Sequence, residues 1–430
     1  METIAKCHVN PRSSLPCCVS FEQFSTYHVF QYANLPDVVV NTIQFVPFNH
    51  NEMWAREVLV DGDDYFHMDY KPITSTESES YVHLIIIGLT QLGEALAMEV
   101  ARTAHFPNCK KHKTKITIID KHMEHEMESF IHKCGEFFSL AKWHYIDTHD
   151  RANDRVSDIS NKYQHLITNK QDRCFIDSEW TFINGSDASA FVANYIAESV
   201  TDANAVPTIA ICINEMEASL HSAMTLPNEV YESKIPVLVH QSMTDAAVDA
   251  LRGKNTDKKY DRYEMLRAFG MEEMDFEPKL MRLIDCGKRI NYLYNHVDAK
   301  DIDEAEADKL WEEVPIHKRW SNIYSAVTIP IKYRCVENLS WPLTNSGQLA
   351  FLSEMEHNRW MVEELLLGYR PVLEQEDKQI DADKSLKRVY KDKFIHYDIR
   401  PNDGLKTDQS GRNVAEYDEI IVRNLHLIYR

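Results

Sequence analysis

Residues 81–120, YVHLIIIGLTQLGEALAMEVARTAHFPNCKKHKTKITIID, decide the fold of this chain. The apolar, β-branched run from Val82 to Ile87 has the length of a buried strand and ends at Gly88. Apolar side chains then recur at helical spacing, and a second apolar run ends at Asp120. The order strand, glycine turn, helix, strand predicts the first half of a dinucleotide-binding βαβ unit.

The turn and the tip of the second strand supply candidate cofactor-binding residues. Gly88 permits the tight turn, Gly93 lets the helix lie close to the sheet, and the first helical turn, at Gln91, offers free N–H groups to an anion. Asp120 is placed to bind ribose hydroxyls, although it lies further downstream than the usual ~20 residues. Thr90 stands where the dinucleotide fingerprint has its middle glycine, and its side chain limits the approach of a pyrophosphate. The alternative is a scaffold of the same fold that has lost its ligand.

The alternation of strands and helices resumes further along the chain. We predict strands at residues 180–185, 208–213 and 235–240, with a helix at 188–200. This order predicts parallel strands joined by right-handed crossovers. Asn214 follows the second of these strands, at the edge where open α/β sheets bind ligands. Asn214 is therefore either a further cofactor-binding residue or only the N-cap of the next helix.

The run HLIIIGLTQLGEALAMEVA, followed by KITIID, resembles the nucleotide-binding domain of TrkA and RCK potassium-transport regulators. The resemblance implies a cytosolic Rossmann domain that binds NAD or another adenine nucleotide and gates ion flux without turning the cofactor over. It also implies a homodimer, since domains of this type pair through their sheets or helices.

The charge and cysteine content restrict the function classes. A net charge of −20 argues against nucleic acid and anionic membrane surfaces as partners, because both repel an acidic protein. The nine cysteines form no CxxC pair and suit reduced thiols in a cytoplasmic protein. No apolar run approaches the ~18 residues of a membrane helix, so a channel partner would have to be a separate protein.

A cluster of histidines follows the second strand. His122, His125 and His132, with Glu126, could indicate a metal site, but the same positions fit the polar face of an amphipathic helix. We therefore expect no metal.

The C-terminal third carries two clusters of aromatic and basic residues, the second on a long helix predicted at residues 348–369. If the clusters meet in space, their rings can stack on a purine, their cations can bind phosphate, and the remaining polar groups can donate directional hydrogen bonds. The candidate ligand-binding residues are Arg319, Trp320, Tyr324, His357, Asn358, Trp360, Lys393 and His396. The alternative is a core in which the aromatic rings pack together and the charges lie outside.

Residues 314–430 resemble the RyR domain, the small helical module repeated in ryanodine receptors. The resemblance rests on Glu356-His357-Asn358-Arg359-Trp360, on the Gly368-Tyr369 step, and on His396 and the last helix in the tail. It implies binding of a nucleotide messenger of the cyclic ADP-ribose type. The run Gly368-Tyr369-Arg370-Pro371 departs from the receptor repeats, so the loop after the main helix is expected to differ in shape.

Together these patterns predict an α/β protein with a Rossmann-like parallel sheet, flanking helices and a small helical C-terminal domain. We expect an N-terminal cap at residues 1–80, the Rossmann domain at 81–300 and the RyR domain at 310–430. The leading hypothesis is a non-enzymatic cytosolic nucleotide sensor whose partner is a channel subunit or a defence effector. The alternatives are an NAD(P)-dependent oxidoreductase and a structural adaptor with vestigial pockets.

Overall fold

The computed structural model describes residues 15–22, 43–62, 65–148, 157–167, 174–252, 262–336, 341, 343–407 and 411–430. Much of the predicted N-terminal cap, including residues 23–42, lies outside the described residues.

The described part of the N-terminal segment enters the interior of the protein. Strands β1 (Leu15–Phe21) and β2 (Ile43–Asn49) pair in parallel and lead into helix α1 (His50–Arg56). The Asn49 side chain caps α1 by accepting a 2.9 Å hydrogen bond from the backbone N–H of Glu52. Five consecutive residues of α1, from Glu52 to Arg56, are buried. This helix therefore belongs to the core and not to a surface extension.

The central sheet has eight strands, in the order β10-β9-β8-β3-β4-β7-β5-β6. Only the two-residue β6 runs antiparallel among the described strands of this sheet. Their bounds are β3 (Tyr81–Ile87), β4 (Thr114–Asp120), β5 (Lys142–Asp147), β6 (Ser157–Asp158), β7 (Ser178–Asn184), β8 (Ala205–Ile211), β9 (Val237–His240) and β10 (Leu266–Phe269). The predicted α/β class with a parallel, Rossmann-like sheet is confirmed.

Helices cover both faces of this sheet. They are α2 (Gln91–Thr103), α3 (Met123–Lys133), α4 (Gly135–Phe138), α5 (Ala190–Thr201), α6 (Met216–Thr225), α7 (Asn228–Glu232) and α8 (Ala246–Arg252). Alternate side chains of β3 point to opposite faces, so Leu84 and Ile86 enter one apolar cluster while Ile85 and Ile87 enter the other. All seven residues of β3 are buried, which explains its continuous apolar run.

A proline lies inside the buried strand β8, where it would normally break a ladder of hydrogen bonds. Pro207 is tolerated because β9 pairs with β8 only from Ile209 onwards. Its carbonyl is also used, since it accepts a 3.1 Å hydrogen bond from the Tyr70 hydroxyl. The first residues of β8 thus pair with β3 on one side only, although β8 is a central strand.

The C-terminal part is mainly helical. It contains α9 (Glu277–Asn295), α10 (Glu304–Glu312), α11 (Ile316–Val327), α12 (Ile329–Arg334), α13 (Ser346–Leu366), β11 (Arg370–Pro371), α14 (Glu374–Ala382), α15 (Leu386–Lys391), β12 (Ile395–His396), α16 (Ala415–Arg423) and α17 (Leu425–Ile428). Helix α9 packs against α10 and α11, and α13 packs against α16. One apolar cluster continues from β3 through α2 to α11 and α13, so the sheet and the C-terminal helices share a core.

No helix among the described residues combines the length and the apolar character needed to cross a membrane.

Candidate functional site

The turn after β3 lies where the order of strands reverses, between β3 and β8. Gly88 adopts a φ of 99°, and its N–H donates a 2.8 Å hydrogen bond to the carbonyl of Ile119. On the other side, the Cys212 N–H donates a 2.8 Å hydrogen bond to the carbonyl of Ile87. A Cβ on Gly88 would stand 3.2 Å from the backbone of Cys212. The glycine therefore lets the turn lie against the end of β8 at the switch point, where open α/β sheets have the crevice that binds ligands.

Gly93 allows α2 to approach this turn closely. A Cβ at this position would lie 2.3 Å from the carbonyl oxygen of Gly88, a distance that only glycine avoids. The first turn of α2 is therefore held directly against the end of β3, with its N–H groups at the crevice.

Thr90 occupies the N-cap of α2. Its hydroxyl accepts a 3.3 Å hydrogen bond from the Gly93 N–H and donates a 2.8 Å hydrogen bond to the carbonyl of Cys212. The threonine that replaces the middle glycine thus joins the turn to β8. An anion at this helix end would meet the N–H groups next to the cap, at Gln91, whose side chain is exposed.

Asp120 stands at the end of β4 and faces the same turn. One carboxylate oxygen accepts a 3.0 Å hydrogen bond from the Leu89 N–H, and the other accepts a 2.8 Å hydrogen bond from the His122 N–H. Each oxygen keeps lone-pair capacity for a further donor. The fixed negative charge favours hydroxyl donors, such as those of ribose, and repels a phosphate placed directly on Leu89.

An open depression of about 470 Å³ lies beside Asp120, across the carboxyl ends of β4 and β7. It is lined by Lys121, His122, Glu124, His125, Glu128 and Asn184. Sequence reasoning assigned the histidines to the polar face of a helix and missed Asn184, although its place at the end of a strand was a usable signal. No group of three metal-ligating side chains comes together among the described residues.

Asn214 is exposed at the same edge, two residues beyond Cys212. The interpretation of Asn214 as the N-cap of the next helix is wrong, because Glu215 holds the N-cap position of α6 without a side-chain capping bond. Nδ1–H of His240 donates a 2.9 Å hydrogen bond to the carbonyl of Ile213 at this edge.

The predicted stacking residues of α11 lie in the interior. Trp320 and Tyr324 each keep only 5 % of their surface exposed. Two guanidinium groups lie near the Tyr324 ring, that of Arg56 at 5.1 Å and that of Arg102 at 4.6 Å from the ring centre. Its hydroxyl donates a 3.0 Å hydrogen bond to Glu52. In this arrangement neither ring offers an open face to a purine.

Arg319 and Asn358 hold other elements in place. Arg319 donates hydrogen bonds to the carbonyls of Val314, at 2.8 Å, and Glu312, at 2.9 Å, and so binds the end of α10. Asn358 on α13 donates a 3.1 Å hydrogen bond to Asp177, just before β7. The structure therefore does not bring these two predicted ligand residues to one pocket, because each bonds a different part of the protein.

His357, Trp360 and His396 form a packed aromatic group. Burial lowers the pKa of His357, but the hydrogen bond and charge of Asp418, 3.3 Å from Nδ1, raise it overall. Trp360 lies 5.6 Å from the His357 ring and 4.9 Å from that of His396, measured between centroids. Burial holds the pKa of His396 well below its usual value. Lys393, by contrast, is exposed.

Four buried charged residues join α1, α2 and α11, and sequence reasoning missed them. Glu52 accepts hydrogen bonds from Arg102, at 2.5 Å, and from Tyr324. Arg56 lies 3.0 Å from Glu52 and 3.3 Å from Glu99. Burial raises the pKa of Glu99 despite the neighbouring arginines. In the sequence, the i, i+4 spacing of Glu52 and Arg56 was the one feature that could have indicated this cluster.

The candidate site is therefore the carboxyl edge of the sheet around Gly88 and Asp120, while most of the predicted C-terminal ligand residues serve packing. No protein-family model, curated protein or solved structure matches the chain.

Proposed function

We propose that this protein is a non-enzymatic nucleotide sensor that binds NAD or another adenine nucleotide at the carboxyl edge of β3 and β4. One observation carries the proposal: the strand-order reversal brings the Gly88 turn, the first turn of α2 and the Asp120 carboxylate to one crevice. The resemblance of residues 81–120 to TrkA and RCK nucleotide-binding domains points the same way.

The polar groups assign parts of the ligand to parts of the crevice. Ribose hydroxyls would donate to Asp120, whose two oxygens are held in place by backbone N–H groups. A phosphate would lie at the Gln91 end of α2, away from the Asp120 charge. The depression beyond Asp120, with Lys121 and His125 in its lining, would take the base.

The response to the ligand would travel through α2. Its first turn lies at the switch point, and its C-terminal half carries Glu99 and Arg102 into the buried charge cluster with Glu52 and Tyr324. The 13 residues of α2 span roughly 20 Å as one rigid rod. A ligand with unequal affinity for two positions of α2 would shift the C-terminal helices, and a channel subunit or defence effector would sense that shift.

Calorimetric titration tests the proposal with NAD, NADH, ATP, ADP-ribose and cyclic ADP-ribose. We expect at least one of them to bind with a micromolar Kd and to raise the melting temperature by mass action. Asp120→Ala removes a charged acceptor, so it should weaken binding by about 10- to 100-fold, the equivalent of ~1.5–3 kcal/mol.

The matched control is Asp202→Ala, which removes a carboxylate at the opposite edge of the sheet, where Asp202 accepts a 2.6 Å hydrogen bond from Tyr81. Its affinity for the nucleotide should equal that of the wild type. Equal weakening by both variants, or no binding of any of the five compounds, would refute the sensor. Steady consumption of NADH with a carbonyl substrate, followed by absorbance, would establish an oxidoreductase instead.

A further inference from the structure

Phe394 adopts a backbone conformation that residues with a side chain rarely adopt. Its φ is 59°, in the left-handed region, and among the described non-glycine residues only Lys234 shares a positive φ. The Phe394 side chain is also 56 % exposed, so the ring contributes little to the core. Glycine would relieve the strain at this position and would lose only the part of the ring that is buried. Strain of this kind is typical of residues kept for function.

The exposed ring is held firmly. The Phe394 carbonyl accepts a 2.9 Å hydrogen bond from the Arg370 N–H, beside the pairing of β11 with β12. The Phe394 N–H donates a 3.0 Å hydrogen bond to the carbonyl of Lys391, at the end of α15. The ring itself rests on Tyr369, with 5.2 Å between the centroids. The surface is therefore preformed, which lowers the entropic cost of binding to it.

Three cations lie in the segment that ends at Phe394. Arg388, Lys391 and Lys393 are exposed, and none of them has an ion-pair partner within the described residues. Lys391 lies 5.8 Å from the centre of the Tyr369 ring. Val389, 47 % exposed, adds an apolar side chain to the same segment, and Asp392 is its only carboxylate. We call residues 388–394 with Tyr369 the basic aromatic surface.

We propose that the basic aromatic surface docks an acidic peptide segment of a partner protein, with one apolar side chain of that segment packed on Phe394. Charge complementarity supports an acidic peptide, because this surface carries three cations without ion-pair partners among the described residues, whereas the whole chain has a net charge of −20. A long polyanion such as nucleic acid would meet the acidic remainder of the protein and be repelled. A short acidic segment touches only the cations, and the exposed ring provides the apolar anchor that interfaces favour.

The test begins with a phage-displayed library of random peptides, selected on the full-length protein and counter-selected on Phe394→Gly. We expect enriched peptides to be rich in Asp and Glu and to share an aromatic or aliphatic residue. Fluorescence anisotropy with the labelled peptides should show at least a tenfold weaker Kd for Phe394→Gly and for the double variant Lys391→Glu, Lys393→Glu. The melting temperature of Phe394→Gly should equal or exceed that of the wild type, since the strain is removed.

The control is Lys234→Gly, which relieves the other positive φ at a site outside the basic aromatic surface and should leave peptide binding unchanged. Enriched peptides without acidic bias, or equal affinity for Phe394→Gly, would overturn the proposal. A lower melting temperature of Phe394→Gly with unaltered peptide binding would assign the ring a structural role instead. Binding of a single-stranded DNA oligomer, or self-association by sedimentation that Phe394→Gly abolishes, would replace the peptide by nucleic acid or by a second copy.

Discussion

At the scale of single residues, Gly93 decides whether α2 can lie against β3. Gly93→Ala would place a Cβ 2.3 Å from the Gly88 carbonyl oxygen, which is a backbone atom. Because backbone must move to admit the methyl group, we expect a loss of about 1–3 kcal/mol in the free energy of unfolding. Urea denaturation followed by circular dichroism measures it.

Gly135→Ala provides the matched control, because a Cβ at Gly135 would meet no atom within 4 Å. Alanine at the start of α4 should leave the free energy of unfolding unchanged or raise it slightly. Equal stability of the Gly93 and Gly135 variants would show that α2 does not press on the turn.

The residue scale is also where sequence reasoning reached furthest. Gly88 and Gly93 could be assigned from spacing, because a tight turn and a close helix approach impose local requirements. The bond of the Thr90 hydroxyl to Cys212 could not, since Cys212 follows β8, far along the chain. The same limit hid the contact of Asp120 with Leu89.

At the scale of elements, α13 depends on a buried carboxylate. Burial alone would raise the pKa of Glu356, but the charges of Arg359 and Lys332 and a hydrogen bond from Lys332 lower it to about 2 from an ordinary value of 4.5. Because the folded pKa is the lower one, this stabilisation is fully present above pH 4.5 and is lost as the pH falls towards 2.

Glu356→Gln should therefore lower the free energy of unfolding at pH 7 by about 3–5 kcal/mol, because it leaves Lys332 buried without its counter-charge and leaves Arg359 paired with Glu363 alone. Between pH 4.5 and 2, the free energy of unfolding of the variant should also fall less steeply than that of the wild type, because the variant lacks the carboxylate that titrates there. Urea titrations across this range measure both effects. Glu374→Gln, which removes an exposed ion pair with Lys378, should match the wild type; a Glu356 variant that does the same would contradict the assignment.

The length and place of α13 follow from its apolar spacing, but its polar contacts do not. Periodicity assigns charged residues to the solvent face. Here Glu356, His357 and Arg359 are all buried, because α12 and α16 supply Lys332 and Asp418 as partners. Trp320 and Tyr324 were candidate ligand residues with a packed core as the alternative, and both lie in the core, where the Tyr324 hydroxyl bonds Glu52.

At the scale of the whole molecule, we expect a nucleotide bound at the crevice to change the dynamics of the C-terminal helices, which share a core with the sheet. In hydrogen–deuterium exchange, the nucleotide that binds by calorimetry should slow exchange in α2 and also in α11. Tyr324→Phe removes the hydrogen bond to Glu52 and loosens the link between α11 and the charge cluster. It should abolish the slowing in α11 while changing the Kd less than about threefold.

Tyr390→Phe is the control, since it removes a surface hydroxyl that bonds Gln379. It should keep the nucleotide-dependent slowing in α11. If α11 never responds to nucleotide in the wild type, the two parts of the chain are not coupled through α2.

The arrangement of the whole chain was the hardest to predict. The parallel direction of the strands could be predicted from the alternation of strands and helices, because such units are joined by crossovers of one hand. By contrast, α9 was expected within the sheet domain, and it packs on C-terminal helices. Contacts such as Arg334 with Asp69, 2.7 Å apart, join segments that no local pattern connects.

The two-residue β6 has a consequence for assembly. Strands that end a sheet can recruit strands of neighbouring molecules, and the usual safeguard is to make the outermost one very short. The two edge strands of the central sheet are β6, with two residues, and β10, with four. A strand of a second molecule could therefore form few backbone hydrogen bonds with either edge. Copies of the chain therefore gain little by extending the central sheet edge to edge, which disfavours fibril-like association through that sheet.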